Sequence, residues 1–498
     1  MLFEKMKHSA GFITLSLLIL IPAIIRAETS VYPLGTTIYK PGKCWNGFTI
    51  LSSEEGRLVD MNGNLVHLWK GKLHHPNKVY QGGYLLASTA AWKHGLQDAI
   101  EIQIRGFDDK VLWKFNQWHQ GKANEGDGLI NLSRQHHDLQ IKGNPVGYYI
   151  PDSTPLDISN GIVLALAHYN VRNERINKNV PLLDDVVYEV DIATGKVIWT
   201  WKASEHLDEM GFDEAALKAM QNYSNEPRSE GGGFDWFHQN CASYLGPNKW
   251  FDQGDKRFHP DNIILDSRQA GLLAIVDHES GKIVWRAGPT YRDGDDKKLG
   301  WMIGPHHTHM IPKGLPGAGN IMVFDNGGGS GYGPPTDFAP DGQMVMRRDH
   351  SRVVEFNPIT KEIAWEYSPN TSNNPDRGFG HKLYSVNVSS AQRLPNGNTL
   401  ITEGAQGRMI EVTVNYEIVW EYMNPYLWDS DVPFIRNMVY RAYRVPYDWV
   451  PQLPKPKESA VDAGPNYLFT IPAKDGSRPD FGIEKTGVWK QGGSQGRE

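Results

Sequence analysis

Between Leu299 and Gly333 the chain reads LGWMIGPHHTHMIPKGLPGAGNIMVFDNGGGSGYG, placing three histidines, His306, His307 and His309, within four positions ahead of a glycine-rich loop. An imidazole can ligate a metal, move a proton near neutral pH or, when uncharged, attack an electrophile. A single run of this kind in a half-buried strand usually does no more than satisfy nearby polar groups. Here the placement recurs in HHPNKVY (74–80), QHHDLQIKG (135–143) and DWFHQNCASYLG (235–246). Arg268 follows directly in IILDSR and Asn240 adds an uncharged donor. Imidazoles with one fixed cation and no acidic cluster suit an oxyanion better than a hard metal ion.

Residues so far apart meet only if the fold is periodic, and two repeats show that it is. A polar turn followed by β-formers ending in tryptophan occurs six times, at GNLVHLW, DDKVLW, TGKVIW, SGKIVW, TKEIAW and NYEIVW. It alternates with a second pattern, Gly or Asn leading into an apolar strand, as in GFTILSS, GGYLLAST, NGIVLALAH, DNIILDSR, GNIMVFDN and GNTLITEG. Strands such as VVYEVDI and LLAIVDH lie between them, so each unit reads as a four-stranded antiparallel meander. Meanders that cannot bury both faces alone stack radially. The fold class expected is therefore all-β, a six-bladed β-propeller spanning 28–445. Trp69, Trp113, Trp199, Trp285, Trp365 and Trp420 are predicted at equivalent positions. Four of the five recognisable innermost strands open with histidine, the fifth being VSSAQRLPNG (388–397), so the imidazoles should converge at one channel mouth. A short helical insertion is predicted between Ala203 and Phe234, a lid-like loop over 326–350, and an irregular C-terminal tail over 446–498.

The formal charge of −6 and pI near 6.3 leave no basic footprint for nucleic acid. Lys5, Lys7 and His8, an apolar run from Gly11 to Ile25 and then Ala27 have the order of a signal peptide over 1–27. The expectation is a periplasmic or secreted protein with no membrane insertion after cleavage; retention as an anchor is the alternative. Cys44 and Cys241 fall on blades 1 and 4, too far apart for a disulfide.

At this point the chain resembles the bacterial arylsulfate sulfotransferase family, periplasmic six-bladed propellers that move a sulfuryl group from one phenol to another. The resemblance covers about Tyr32 to Val445. It rests on GTTIYKPGKCWNGFTILSS, HHD (136–138), DWFHQN (235–240), the SR of IILDSR, the His-Thr pair before VFDNG, and VYRAYRVP. It implies that His307 accepts the sulfuryl group in a ping-pong reaction through a sulfohistidine, with His137, His238 and Arg268 as further catalytic residues. Asn240, His306 and His136 are the implied substrate-binding residues. Position 306 is usually Gln in the family and is His here, so the choice between His306 and His307 stays open. The implied partners are an aryl sulfate donor and a phenolic acceptor, with a homodimer as the assembly to test; neither metal nor other cofactor is required. Two other readings stand beside this one: a metal-dependent lyase or hydrolase using the His cluster, and a quinone-dependent dehydrogenase, whose propellers usually have eight blades. A non-catalytic scaffold would leave the His/Arg mouth without a purpose.

Overall fold

The structure, a computed structural model, describes residues 34–461 except 91–97, 123–127, 145–147, 152–154, 156, 225–232, 370, 372–382 and 428–436. The expected signal segment and residues 462–498 of the tail lie outside the described residues.

Six antiparallel sheets form the blades of one propeller, each running in order from its innermost strand outward. In blades 2 to 5 the innermost strands are Leu73–Tyr80, Gln135–Ile141, Gln239–Tyr244 and Pro305–Met310, and in blade 6 it is Ser390–Arg393. Successive innermost strands pack against one another, and every residue of those in blades 2 to 5 is buried. Blade 1 is closed from the other end of the chain: Ala442–Val445 pairs with Phe48–Ser52 as its innermost strand. At the opposite edge of the neighbouring blade, Gly35–Tyr39 adds a fifth strand to blade 6 by pairing with Ile418–Met423. Both ends of the chain therefore take part in closing the ring. Blade count and class are as the repeats predict, and six blades do not match the eight usual for quinone-dependent dehydrogenases.

The tryptophans explain why the blades stay together. Each donates its indole N–H to a backbone carbonyl of the next blade: Trp69 to Gly106, Trp113 to Ile192, Trp199 to His278, Trp285 to Pro358, Trp365 to Val414 and Trp420 to Met61, all at 2.8–3.2 Å. The last bond, from blade 6 to blade 1, completes the circle. Five tryptophans sit just after a bulge in the fourth strand from the axis, opposite Ile104, Glu189, Ile275, Glu355 and Glu411. Trp69 departs from the expected equivalence. In blade 1 the position after the bulge is held by His67, opposite Leu58, and Trp69 lies two residues on, opposite Gly56. The His67 ring stacks on Phe107 of blade 2 at 3.9 Å, while Trp69, on the same side of the pleat, still reaches Gly106.

Among its described residues the insertion after blade 3 holds one α-helix, Glu214–Asn222, capped by the Asp213 carboxylate on the Ala216 N–H. The loop after Asp325 folds into a hairpin, Ser330–Tyr332 with Gln343–Met346, and the Tyr332 hydroxyl donates to the Trp236 carbonyl of blade 4. Cys44 and Cys241 are both free thiols, as expected. No helix of the described residues is long and apolar enough to cross a membrane.

Candidate active site

The innermost strands of blades 3, 4 and 5 are not regular. In blade 5, His307 and Thr308 together face the single position between Phe324 and Met322; in blade 4, Asn240 and Cys241 do the same between Ser267 and Leu265. In blade 3 three residues, His136, His137 and Asp138, occupy such a gap. At or just before these bulges His137, His238 and His307 hold φ of 53°, 49° and 54°, the left-handed region that β-carbons disfavour. Each such residue costs about 1–3 kcal/mol, and three successive blades carry one, each a histidine. The strain re-aims a ring that a regular strand would turn into a blade interface.

His137 and His238 meet with ring centroids 4.9 Å apart. His75 of blade 2 lies 5.9 Å from His137 and stacks on Tyr440 at 3.9 Å. The Asp235 carboxylate accepts the Nδ1–H of His238 at 2.7 Å, which leaves its Nε2 for other work. Burial raises Asp235, but the charges of His238 and Arg268 outweigh it and hold the carboxyl below its usual range. Burial, then His238, His136 and His75, hold His137 well below the ordinary imidazole value, so its ring is neutral at pH 7.

His307 has a different set of neighbours. Its ring lies 4.5 Å from His309, 5.5 Å from Tyr443 and 6.5 Å from Tyr148. The Tyr443 hydroxyl is 3.3 Å from His307 Nε2, and buried Nδ1 makes no hydrogen bond. Burial, followed by His309, Arg441 and Lys78, holds this ring well below its ordinary value too. His306 is fully engaged. The Val388 N–H donates to its Nε2 at 3.1 Å, so the proton is on Nδ1, which donates to Asn326 Oδ1 at 2.8 Å.

Beneath His307 two basic side chains share one carboxylate. Lys78 Nζ is 2.8 Å from Asp138 Oδ1, and Arg441 Nη1 is 3.1 Å from Asp138 Oδ2, all three side chains being at most 1% exposed. Burial raises Asp138, yet the two cations hold it below its usual value. Arg441 also donates to the Asn240 carbonyl and to the Tyr443 hydroxyl. Asp266 ties the bulges of blades 4 and 5 together, accepting the Asn240 N–H at 3.0 Å and the Thr308 hydroxyl at 2.9 Å; burial pushes it up to about 6.

The residues expected at the site thus fall into two neighbouring groups. His136, His137 and His238 form one, with Arg268 placed between blades 4 and 5: its side chain passes Gly304, and its charge is second only to burial in lowering His306. His307 belongs to the other. Asn240 donates through Nδ2 to the Pro305 carbonyl at 3.1 Å, and its buried Oδ1 has no partner. Sequence reasoning missed Asp235, Lys78, Asp138, Asp266, Arg441 and Tyr443. Two signals were there to be read: HHD and DWFHQN each carry their own aspartate, and VYRAYRVP sets arginines into an apolar strand pattern.

Fold and site define the class first: a six-bladed propeller whose innermost strands turn imidazoles, a buried Lys/Arg/Asp cluster and an asparagine toward one interior. The sequence matches the model of the Arylsulfotransferase (ASST) family over residues 154–422, and the chain belongs to that family. That span contains His238, Asn240, Arg268, His306 and His307 and begins after His136 and His137. Membership makes the chain a sulfotransferase. No curated protein matches the sequence. Among solved structures the chain is similar to a Bacteroides caccae protein of unknown function (10% identity, 80% of this chain and 99% of that one, TM-score 0.40). It is also similar to virginiamycin B lyase from Staphylococcus aureus (11% identity, 80% and 86%, TM-score 0.33). A third likeness is to quinohemoprotein alcohol dehydrogenase from Comamonas testosteroni (11% identity, 81% and 62%, TM-score 0.32).

Proposed function

We propose that the protein transfers a sulfuryl group from an aryl sulfate to a phenol by a ping-pong route, with no adenosine phosphosulfate donor, and that His307 carries the group between the two halves. The observation that carries this reading, within the family, is the state of the His307 ring: neutral, aimed by a strained bulge, and with one nitrogen unpartnered. His306 lacks a free lone pair. In the first half, a His307 nitrogen attacks sulfur, an N–S bond forms, the S–O bond to the aryl group breaks, and His137 protonates the departing oxygen. In the second, His137 takes the proton of the acceptor phenol, whose oxygen attacks sulfur and frees His307. Charge in such a transfer spreads over the equatorial oxygens. Arg268, His238 and Asn240 receive it, with His306 supporting the substrate-side wall; one such donor is worth about 2.7–4 kcal/mol. Lys78 and Arg441, with only Asp138 between them, add a positive field that favours a sulfate anion and keeps His307 neutral. The reaction takes place after export, in the periplasm or outside the cell.

Incubation with 4-nitrophenyl sulfate alone should release one phenol per chain and leave an acid-labile adduct about 80 Da heavier on His307, as covalent transfer requires. His307→Asn, which tolerates the left-handed backbone, should fold and show neither. A burst in that variant, or turnover that needs no acceptor and leaves no adduct, would end this reading.

A further inference from the structure

Behind His137, away from the channel, lies a set of buried groups that the transfer scheme does not use. His136 Nδ1 is 2.7 Å from His137 Nδ1, and His136 Nε2 is 3.3 Å from Asp185 Oδ1. Both His136 and Asp185 have side chains at 0% exposure, and neither His136 Nε2 nor Asp185 Oδ2 completes a hydrogen bond. Asp185 Oδ1 accepts the Gln239 N–H at 3.1 Å, which fixes the carboxyl against blade 4. His168 lies on the far face of His136, and its Nδ1 is held by Asp98.

His136, His168 and Asp185 have the donor types of a transition-metal site, with ligand atoms within 4.8 Å of one another. Their orientation argues against it. The two imidazoles are stacked with centroids 3.6 Å apart and planes 15° from parallel. A ring's lone pair lies in its own plane, so one cation cannot sit in both. What the stack does achieve is to clamp His136 so that one nitrogen faces His137 and the other faces Asp185.

We propose that Asp185, His136 and His137 form a proton relay for the transferase reaction, Asp185 and His136 acting as positioning and proton-storing residues behind the acid–base His137. The proposal rests on the sulfotransferase reading and deepens it. At rest the protons are on the Asp185 carboxyl, His136 Nδ1 and His137 Nε2. As the S–O bond breaks, His137 Nε2 gives its proton to the aryl oxygen, His137 Nδ1 takes one from His136 Nδ1, and His136 Nε2 takes one from Asp185. Each imidazole changes tautomer and stays neutral; the carboxyl becomes a carboxylate. The acceptor phenol's proton returns along the same path, so nothing is gained or lost over a turnover. Neutral rings and a protonated carboxyl are what burial favours here: it lowers both imidazoles, while burial, Asp235 and Asp184 raise Asp185 well above the usual range. A relay of this form lets a buried site supply a proton without creating an imidazolium beside Arg268, His238 and His75.

The test uses leaving groups of different basicity. Single-turnover rates with 4-nitrophenyl sulfate, whose phenolate leaves unaided, are compared with those for phenyl sulfate, which needs a proton, in wild type, Asp185→Asn and His136→Asn. General acid catalysis typically contributes about 10²–10⁴-fold, so both variants should slow phenyl sulfate by roughly 100-fold or more and 4-nitrophenyl sulfate by less than about tenfold. Equal slowing on the two substrates would mean damage to the fold and would overturn the relay alone. Wild-type inactivity on both would instead overturn the sulfotransferase reading. A measurement free of mutagenesis is the proton inventory of wild type on phenyl sulfate in H₂O/D₂O mixtures: several protons in flight give a bowed curve, and a straight line would refute the relay.

Discussion

Tyr443→Phe removes one oxygen from the surroundings of His307 and leaves the ring in place. That oxygen is 3.3 Å from His307 Nε2 and 3.3 Å from Arg441 Nη1. Arg441 keeps Asp138 and the Asn240 carbonyl, so the larger loss falls on His307, whose Nδ1 already lacks a partner. Leaving a buried polar atom unsatisfied costs about 1–3 kcal/mol, and that is the expected loss in urea unfolding. If the hydroxyl holds the ring for attack, the net worth of one hydrogen bond, about 0.5–1.5 kcal/mol, should reappear in the barrier as a slowing of roughly 2- to 13-fold. Stopped-flow release of 4-nitrophenolate without acceptor reads that step, and the burst should still reach one per chain. A variant that loses stability but bursts at the wild-type rate would show that Tyr443 only packs against His307. A burst well below one per chain, with folded protein, would place the nucleophile elsewhere.

Three further outcomes are expected. Arg268→Lys keeps the charge but not the planar fork, and should slow transfer by roughly 10- to 100-fold without abolishing it, measured as kcat on 4-nitrophenyl sulfate with phenol; an unchanged kcat would remove Arg268 from the site. Burial lowers His309 from 6.5 to about 4, so between those values the folded chain binds fewer protons than the unfolded one. The stability His309 contributes is therefore complete above pH 6.5 and lost as pH falls toward 4, about 3 kcal/mol in all. Urea midpoints for wild type and His309→Gln over that range should differ in slope by up to about 1.4 kcal/mol per pH unit, and parallel curves would refute the assignment. Trp420→Phe should cost about 0.5–1.5 kcal/mol, the net worth of one hydrogen bond, because the Met61 carbonyl at the joint between blades 6 and 1 loses the indole but keeps the Thr36 hydroxyl; a midpoint unchanged from wild type would mean that the indole bonds do not hold the ring.

The blades were legible because each repeats two independent marks, a tryptophan strand and a Gly- or Asn-led apolar strand, and neither depends on long-range contact. Blade 1 shows the limit of such marks. GNLVHLW ends in tryptophan like the others, yet it is two residues longer between turn and Trp, and register gave the equivalent place to His67. The innermost strand of blade 1 is not legible in the sequence, because nothing local says that Ala442–Val445 pairs with Phe48–Ser52. The histidine clusters were legible as a recurring offset. Their division into two groups was not, because it depends on left-handed torsions at His137, His238 and His307, which no side-chain type other than glycine or asparagine advertises. A bulge shifts the two-residue period by one, so adjacent histidines such as His306 and His307 could not be assigned their sides from spacing alone.

Closing blade 1 with Ala442–Val445 fixes the order in which the interior can exist. Arg441 and Tyr443 are made some 130 residues after His307, as their numbers show. Until they arrive, Asp138 lacks the Arg441 guanidinium and His307 lacks the Tyr443 hydroxyl. A growing or truncated chain can therefore stack most of its blades, with their tryptophan bonds, and still present no finished site to a sulfate ester. Chemistry begins only when the last innermost strand has docked, so measured activity doubles as a count of completed rings.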